Sequence, residues 1–209
     1  MNSLTRSAVS TVAALALLAA FPAARAQAQM GGGSEPHGKL VAVAQKSAPT
    51  GGFRAEFLHN LDDAQKEIQS LAEAVPAEKY SWRPAPGVRS VAEVYLHIAR
   101  SNFGIPQVWG AKLDDPSIDL KNLEKLDPDK AKVVDALNKS FAFVRRSVDQ
   151  LKESDIERSI SLFGTQSTVR GAMLVLITHM HEHLGQSIAY ARINGVVPPW
   201  SAASAPAGR

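Results

Sequence analysis

Along the chain, apolar residues recur at three- and four-residue steps in four separate stretches, the spacing of one face of an α-helix. The first stretch covers about 53–75 and carries Phe53, Phe57, Leu61, Ala64, Ile68, Leu71 and Val75. The second follows Ser90-Val91-Ala92-Glu93. That is a capping box, in which Ser90 caps a backbone N–H and Glu93 reaches back. Its apolar face is Val91, Val94, Ile98 and Ile105, and Trp109-Gly110 marks its end. The third is predicted to open at Asp127-Pro128, a cap followed by proline at the first helical position, and runs through Val133, Leu137, Phe141, Val144, Val148 and Leu151. The fourth opens near Thr168 and presents Met173, Leu176, Met180, Leu184, Ile188 and Ala191. Asn194-Gly195 then supplies residues that tolerate a left-handed turn.

Four amphipathic helices of about 19–27 residues, without a convincing alternating strand pattern, predict an all-α fold, a four-helix bundle. Residues 160–163 form one short apolar stretch that could be extended. The connections of about 13–18 residues are long for a simple up-down bundle, so crossovers or loops covering one end are expected.

The two ends of the chain follow a different pattern. Residues 1–26 have the layout of an export signal: Arg6 and the amino terminus, an uncharged Ala/Leu-rich run over 8–21, Pro22, then Ala24-Arg25-Ala26 before the cleavage point. The apolar run is shorter than the roughly 20 residues of a bilayer-spanning helix, so no stable membrane anchor is expected after cleavage. Lipidation would require a cysteine, and the chain has none. Residues 27–52, with Gly31-Gly32-Gly33, Pro36, Pro49 and Gly51-Gly52, read as a flexible linker. The folded domain is expected over 53–200, followed by a disordered tail over 201–209. A periplasmic or secreted location follows from the signal.

Composition narrows the chemistry. Of 209 residues, 45% are hydrophobic and 21% charged, enough to fill the core of one domain. Loss of Arg6 and Arg25 with the signal leaves 21 basic against 20 acidic residues, so the net charge falls from +3 to +1. No clustered basic face remains to bind a phosphate backbone, and nucleic acid is not an expected partner. Without cysteine there are no disulfides, no thiolate ligands and no thiol nucleophile; any metal must be held by nitrogen and oxygen donors.

Histidine supplies the candidate donors. Three of the six sit within Thr178-His179-Met180-His181-Glu182-His183. Helical positions four apart differ by about 40° around the axis, so His179 and His183 point the same way and can share a metal. His181 lies about 200° round from His179 and must point to solvent or to a supporting position. The His179/His183 face continues through Gln186 and Tyr190 and borders the Leu176/Met180/Leu184 stripe, which places both rings at the core boundary. A buried neutral imidazole needs partners for both nitrogens, and a metal is one answer. The alternative is an ordinary surface pair. A third ligand must come from another helix. His97 lies beside Ile98 of the second stripe, with Glu93 at minus four and the small residues Ser101 and Gly104 at plus four and plus seven, which would leave room for a ligand. Taken alone, a histidine placed as His97 is more often a hydrogen-bonded structural residue than a ligand. His59 reads as a helix-edge histidine and His37 as a solvated one.

These segments together resemble the DinB-like family, the DinB/YfiT superfamily of small metal-binding bundles. The resemblance rests on His97 within Ser-Val-Ala-Glu-Val-Tyr-Leu-His-Ile-Ala, on His179, His183, Leu184, Gly185 and Gln186, and on the turn Tyr80-Ser-Trp82-Arg-Pro84-Ala-Pro86-Gly87. It implies a four-helix bundle in up-down-down-up order, one metal held by His97, His179 and His183, and often a homodimer. Some members of the family are thiol-dependent transferases or isomerases. An exported chain departs from that pattern, because low-molecular-weight thiols are chiefly cytoplasmic.

Three neutral imidazoles suit zinc, nickel or iron and leave a coordination position open for water, as catalytic sites do. The expected function is therefore that of a metal-dependent hydrolase or transferase acting on a small molecule, with a non-catalytic metal-binding or structural envelope protein as the alternative. Glu93, Glu182 and Gln186 are the candidates to orient a ligating histidine, act as base or hold an oxyanion.

Overall fold

A computed structural model describes residues 51–202. The expected export signal, all but the end of the linker, and tail residues 203–209 lie outside the described residues. Four long helices, α1 (Gly52–Ala74), α2 (Val91–Gly104), α3 (Lys130–Asp149) and α4 (Val169–Ile193), carry most of the structure, and a short α5 (Pro199–Ala202) follows. Ser201 and Ala202, expected in the tail, close α5. No described helix is long and apolar enough to cross a membrane.

The predicted stripes are the core. Leu61, Ile68 and Leu71 of α1, Ile98 of α2, Val133, Leu137, Phe141, Val144 and Val148 of α3, and Met173, Leu176 and Met180 of α4 are all fully buried. Each aliphatic or aromatic side chain so placed contributes about 1.5–3 kcal/mol relative to an exposed one. Helix α2 packs against α3 and α4, and α1 packs against the same two. Near the start of α1, Arg54 donates to the carbonyl of Leu151, 3.1 Å away and just past the end of α3. At the other end, Lys130 of α3 donates to the carbonyls of Glu73 and Val75 at 2.6 and 2.8 Å. Between α2 and α3, the buried Asn102 amide donates to Ser140 Oγ at 3.1 Å, and the rings of Phe103 and Phe143 stand 5.6 Å apart. Between α1 and α4, the Arg170 guanidinium covers the Phe53 ring at 4.6 Å.

Helix ends follow from capping chemistry. Ser90 and Glu93 form the predicted box, with Glu93 N–H donating to Ser90 Oγ at 3.2 Å and Ser90 N–H to Glu93 Oε2 at 2.7 Å. Thr168 caps α4 through Gly171 N–H at 3.1 Å, and Asn194 and Gly195 end it, Gly195 at φ 77°. Two expectations need correction. Helix α2 does not stay α-helical to Trp109: Pro106 has no N–H to continue the ladder, and the chain tightens into a 3₁₀ segment, Ile105–Trp109, which Gly110 ends at φ 105°. Helix α3 opens at Lys130, not at Pro128, because Asp129 rather than Asp127 accepts from the backbone N–H of Lys132, at 2.9 Å.

The all-helical expectation is itself corrected by a two-stranded antiparallel sheet, β1 (Ser159–Leu162) with β2 (Thr165–Thr168), in register Ser159↔Thr168 to Leu162↔Thr165. The apolar run over 160–163 marks the first strand. The second, Thr-Gln-Ser-Thr, carries no apolar residue and so gives no alternation to detect. Phe163 and Gly164 form the two-residue turn, both at positive φ (50° and 81°), which matches the primed turns that suit strand twist. This hairpin fills much of the long α3–α4 connection and delivers the chain to the start of α4.

The cap assignment for α3 is open to a direct test. Asp129→Ala is expected to destabilise the protein by about 1 kcal/mol, and Asp127→Ala by less than about 0.5 kcal/mol. Urea unfolding midpoints of the two variants distinguish the positions.

Candidate metal centre

Helices α2 and α4 pack side by side, and their contact brings His97, His179 and His183 together. One ring nitrogen of each lies within 4.8 Å of the others. Ring centroids are 5.0 Å apart for His97 and His179, 4.8 Å for His97 and His183, and 4.5 Å for His179 and His183. Among the described residues this is the one group of three or more potential ligands. His183 is buried, and the other two rings are half-buried. The i,i+4 pair faces α2 because Leu176, Met180 and Leu184 on the neighbouring stripe turn that side of α4 into the bundle.

The protons of His97 and His183 can be placed from their neighbours. His97 Nδ1 stands 2.9 Å from Glu124 Oε1. A carboxylate only accepts, so the proton is on Nδ1 and Nε2 is left bare. Arg89 Nη2 is 3.2 Å from the same nitrogen and 3.7 Å from Glu124 Oε2; two donors cannot bond each other, so the guanidinium serves the carboxylate. Arg100 Nε lies 3.7 Å from Glu124 Oε1. His183 Nδ1 is 2.9 Å from Gln186 Oε1, and the Gln186 amide is fixed by donating to Tyr190 Oη, also at 2.9 Å. With the amide so oriented, His183 donates from Nδ1 and its Nε2 is free as well. His179 Nε2 sits 3.1 Å from His97 Nε2 and 3.3 Å from Ser101 Oγ. Its Nδ1 is buried with no hydrogen-bond partner among the described residues.

Burial, followed by the neighbouring His183 and His97, pushes the His179 pKa down from 6.5 to about 4. His183 is also held below its ordinary value by burial, against the opposing hydrogen bond to Gln186. Both rings are neutral at pH 7, the form that ligates. The donor set fits a borderline divalent ion: three imidazole nitrogens, no thiolate and no cage of hard oxygens. Two rings hold their protons on the far side, so the Nε2 lone pair of His97 faces His179 Nε2, 3.1 Å away across the α2–α4 contact.

The expected carboxylates are placed differently. Glu93 is taken up by the Ser90 cap and by Arg83, whose Nη2 donates to it at 2.9 Å. Glu182 is exposed, and its influence on His183 is a through-space charge effect. The carboxylate that touches a histidine is Glu124, from a 3₁₀ turn (Leu123–Lys125) in the α2–α3 connection. It lies 27 residues from His97, and no spacing rule links such positions. Gln186 supports His183 directly. His181 points to solvent, its Nδ1 2.9 Å from the Ile177 carbonyl, and His59 pairs weakly with Asp63 at 3.8 Å. His37 lies outside the described residues. A pocket of about 440 Å³ opens beside His97 and His179.

Helical packing with a three-histidine cluster between two of its long helices defines a helical protein with a site that could hold a metal. The chain belongs to the DinB superfamily, whose family model matches residues 60–187. Similar solved structures include a DinB-like protein from Bacillus cereus ATCC 10987, 21% identical with a TM-score of 0.61, covering 69% of this chain and 94% of that one. A DinB-like protein from Bacillus subtilis is 23% identical with a TM-score of 0.51, covering 68% and 93%. A conserved protein from Enterococcus faecalis is 20% identical with a TM-score of 0.50, covering 65% and 93%. At these identities the likeness is one of fold. No curated protein matches the chain.

Two outcomes test this geometry. Glu124→Gln is expected to weaken zinc binding about tenfold or more, since the amide cannot hold the Nδ1–H as firmly; competition with a chromogenic chelator reads it. In metal-free protein, the unfolded chain takes up the His179 proton near 6.5 and the folded chain only near 4. Stability from this ring is therefore complete above pH 6.5 and is lost as the pH falls toward 4. The melting temperature should decline across that window, and His179→Gln should flatten the decline.

Proposed function

We propose that this DinB-superfamily protein is an exported metalloprotein in which His97, His179 and His183 hold zinc, nickel or iron, and that it acts as a metal-dependent hydrolase or transferase on a small molecule. The convergence of three imidazole nitrogens within 4.8 Å carries the reading. The outward protons of His97 and His183, held by Glu124 and Gln186, support it, because those hydrogen bonds leave the ligating nitrogens bare before any ion arrives. Export rests on the layout of residues 1–26, and an up-down-down-up order is supported by the end-to-start pairing of α1 with α3. The expected homodimer is part of the same proposal.

When bound, such an ion supplies Lewis-acid polarisation and a water of lowered pKa. The rest falls to side chains. Glu124 keeps His97 in one tautomer and one orientation; Gln186, itself held by Tyr190, does the same for His183. Ser101 Oγ, 3.3 Å from His179 Nε2, offers a hydroxyl at the mouth of the pocket that can donate to a substrate oxygen. Three protein donors and an adjoining cavity favour an open, reactive centre over a closed structural one.

Elemental analysis of untagged protein purified without chelators is the deciding measurement. About one equivalent of zinc, nickel or iron is expected, falling below a tenth of that in His97→Ala with the helical circular dichroism retained. Metal-free protein under those conditions, reconstituted without uptake, sinks the reading. Export is checked by the mass of the protein recovered from the periplasm or medium, which should begin at Gln27.

A further inference from the structure

The cavity beside the histidines has a composition that specifies its occupant. Its wall is formed by Ile105 and Val108 after α2, Leu120 from the α2–α3 connection, Val175 of α4 and Phe163 from the hairpin turn. Phe163 is 79% exposed and Val175 37% exposed, so large apolar surface faces the opening. One charged side chain lines the cavity, Arg100, and no carboxylate does. Glu124 pairs with Arg100 at 3.7 Å from Nε, as it does with Arg89, and its Oε1 is also the partner of His97 Nδ1. One carboxylate is thus divided among three cationic or donor groups, and Arg100, half-exposed, keeps guanidinium N–H groups for a ligand. Gly104 also lines the cavity, and a Cβ added there would meet nothing within 4 Å.

We infer that this pocket binds a small carboxylate with an aliphatic or aromatic body, the carboxylate directed to Arg100 and the histidine cluster and the body lying along Ile105, Val108, Val175 and Phe163. The inference rests on the metal reading only for the head group; the apolar wall and Arg100 stand without it. Pocket size agrees, since about 440 Å³ falls in the range of small-molecule sites. A sugar-bearing or peptide-like substrate would bury hydroxyls and amides against a wall that returns no hydrogen bonds, which disfavours it. The single guanidinium selects an anion over a neutral molecule of the same length, and the apolar wall favours a body with more methylenes to bury.

The test is calorimetric binding of octanoate, butyrate and 1-octanol to the purified protein, with and without one equivalent of zinc, and with zinc content measured in each sample. Octanoate should bind at least about tenfold more tightly than butyrate, since each buried methylene adds to affinity, and more tightly than octanol. Arg100→Gln should remove the preference for octanoate over octanol. Gly104→Phe places a ring at a lining position whose Cβ site is open, and should weaken octanoate by tenfold or more, with the melting temperature measured alongside. Octanoate binding in protein that takes up no zinc supports the pocket and counts against the metal centre. Zinc uptake without octanoate binding, equal binding of the acid and the alcohol, or an unaltered affinity in Gly104→Phe overturns the inference. So does a dimer that covers Phe163 and Val175, dissociates in Val175→Glu and excludes octanoate.

Discussion

Three imidazoles meeting across the α2–α4 contact impose the constraint around which this molecule is organised. His179 Nε2 lies 3.1 Å from His97 Nε2, so one proton can bridge that pair, while His179 Nδ1 stays buried with no hydrogen-bond partner among the described residues. The surrounding structure resolves part of the problem by fixing where the protons go. Glu124 and Gln186 draw the protons of His97 and His183 outward, and burial keeps His179 from acquiring a second one. What remains is a set of ring nitrogens gathered within 4.8 Å at the partly buried α2–α4 contact. Leucines at that point would carry no polar desolvation cost, so the arrangement is one that a bound ion would stabilise.

The fold supports this point from two sides. The stripe of Leu176, Met180 and Leu184 sets the rotation of α4, which aims His179 and His183 at α2. The Ser90–Glu93 box sets where α2 begins, and with it the height of His97. The α2–α3 connection then passes back over α2 to deliver Glu124, and the hairpin before α4 brings Phe163 to the edge of the same region. The long connections are therefore working parts of the site, not slack between helices.

Much of this was legible in the sequence. Helical periodicity located all four long helices because each buries a continuous apolar face, and local capping chemistry at Ser90, Thr168 and Asn194-Gly195 marked their ends. The i,i+4 spacing of His179 and His183 is likewise a local property. Glu124 could not be found that way, since its approach to His97 depends on how a connection of no fixed period folds. Glu93 and Glu182 were the nearest carboxylates in the chain but not in space: one is consumed by its own helix cap, and the other projects to solvent. The strand Thr165–Thr168 was hidden by its polarity, and the start of α3 was displaced because two aspartates flank Pro128 and only one reaches a backbone donor.

The hairpin turn carries a further consequence. Phe163 occupies the first position of a primed turn at φ 50°, where asparagine, aspartate or glycine would sit without strain. Holding an aromatic residue in left-handed backbone costs about 1–2 kcal/mol, and the exposed ring recovers little of that by packing. None of the easier residues could extend an apolar wall over the cavity. Fold stability and ligand selectivity are thus opposed at a single side chain: a substitution that relaxes the turn also dismantles one side of the pocket, and the hairpin is the natural place for related chains to exchange one for the other.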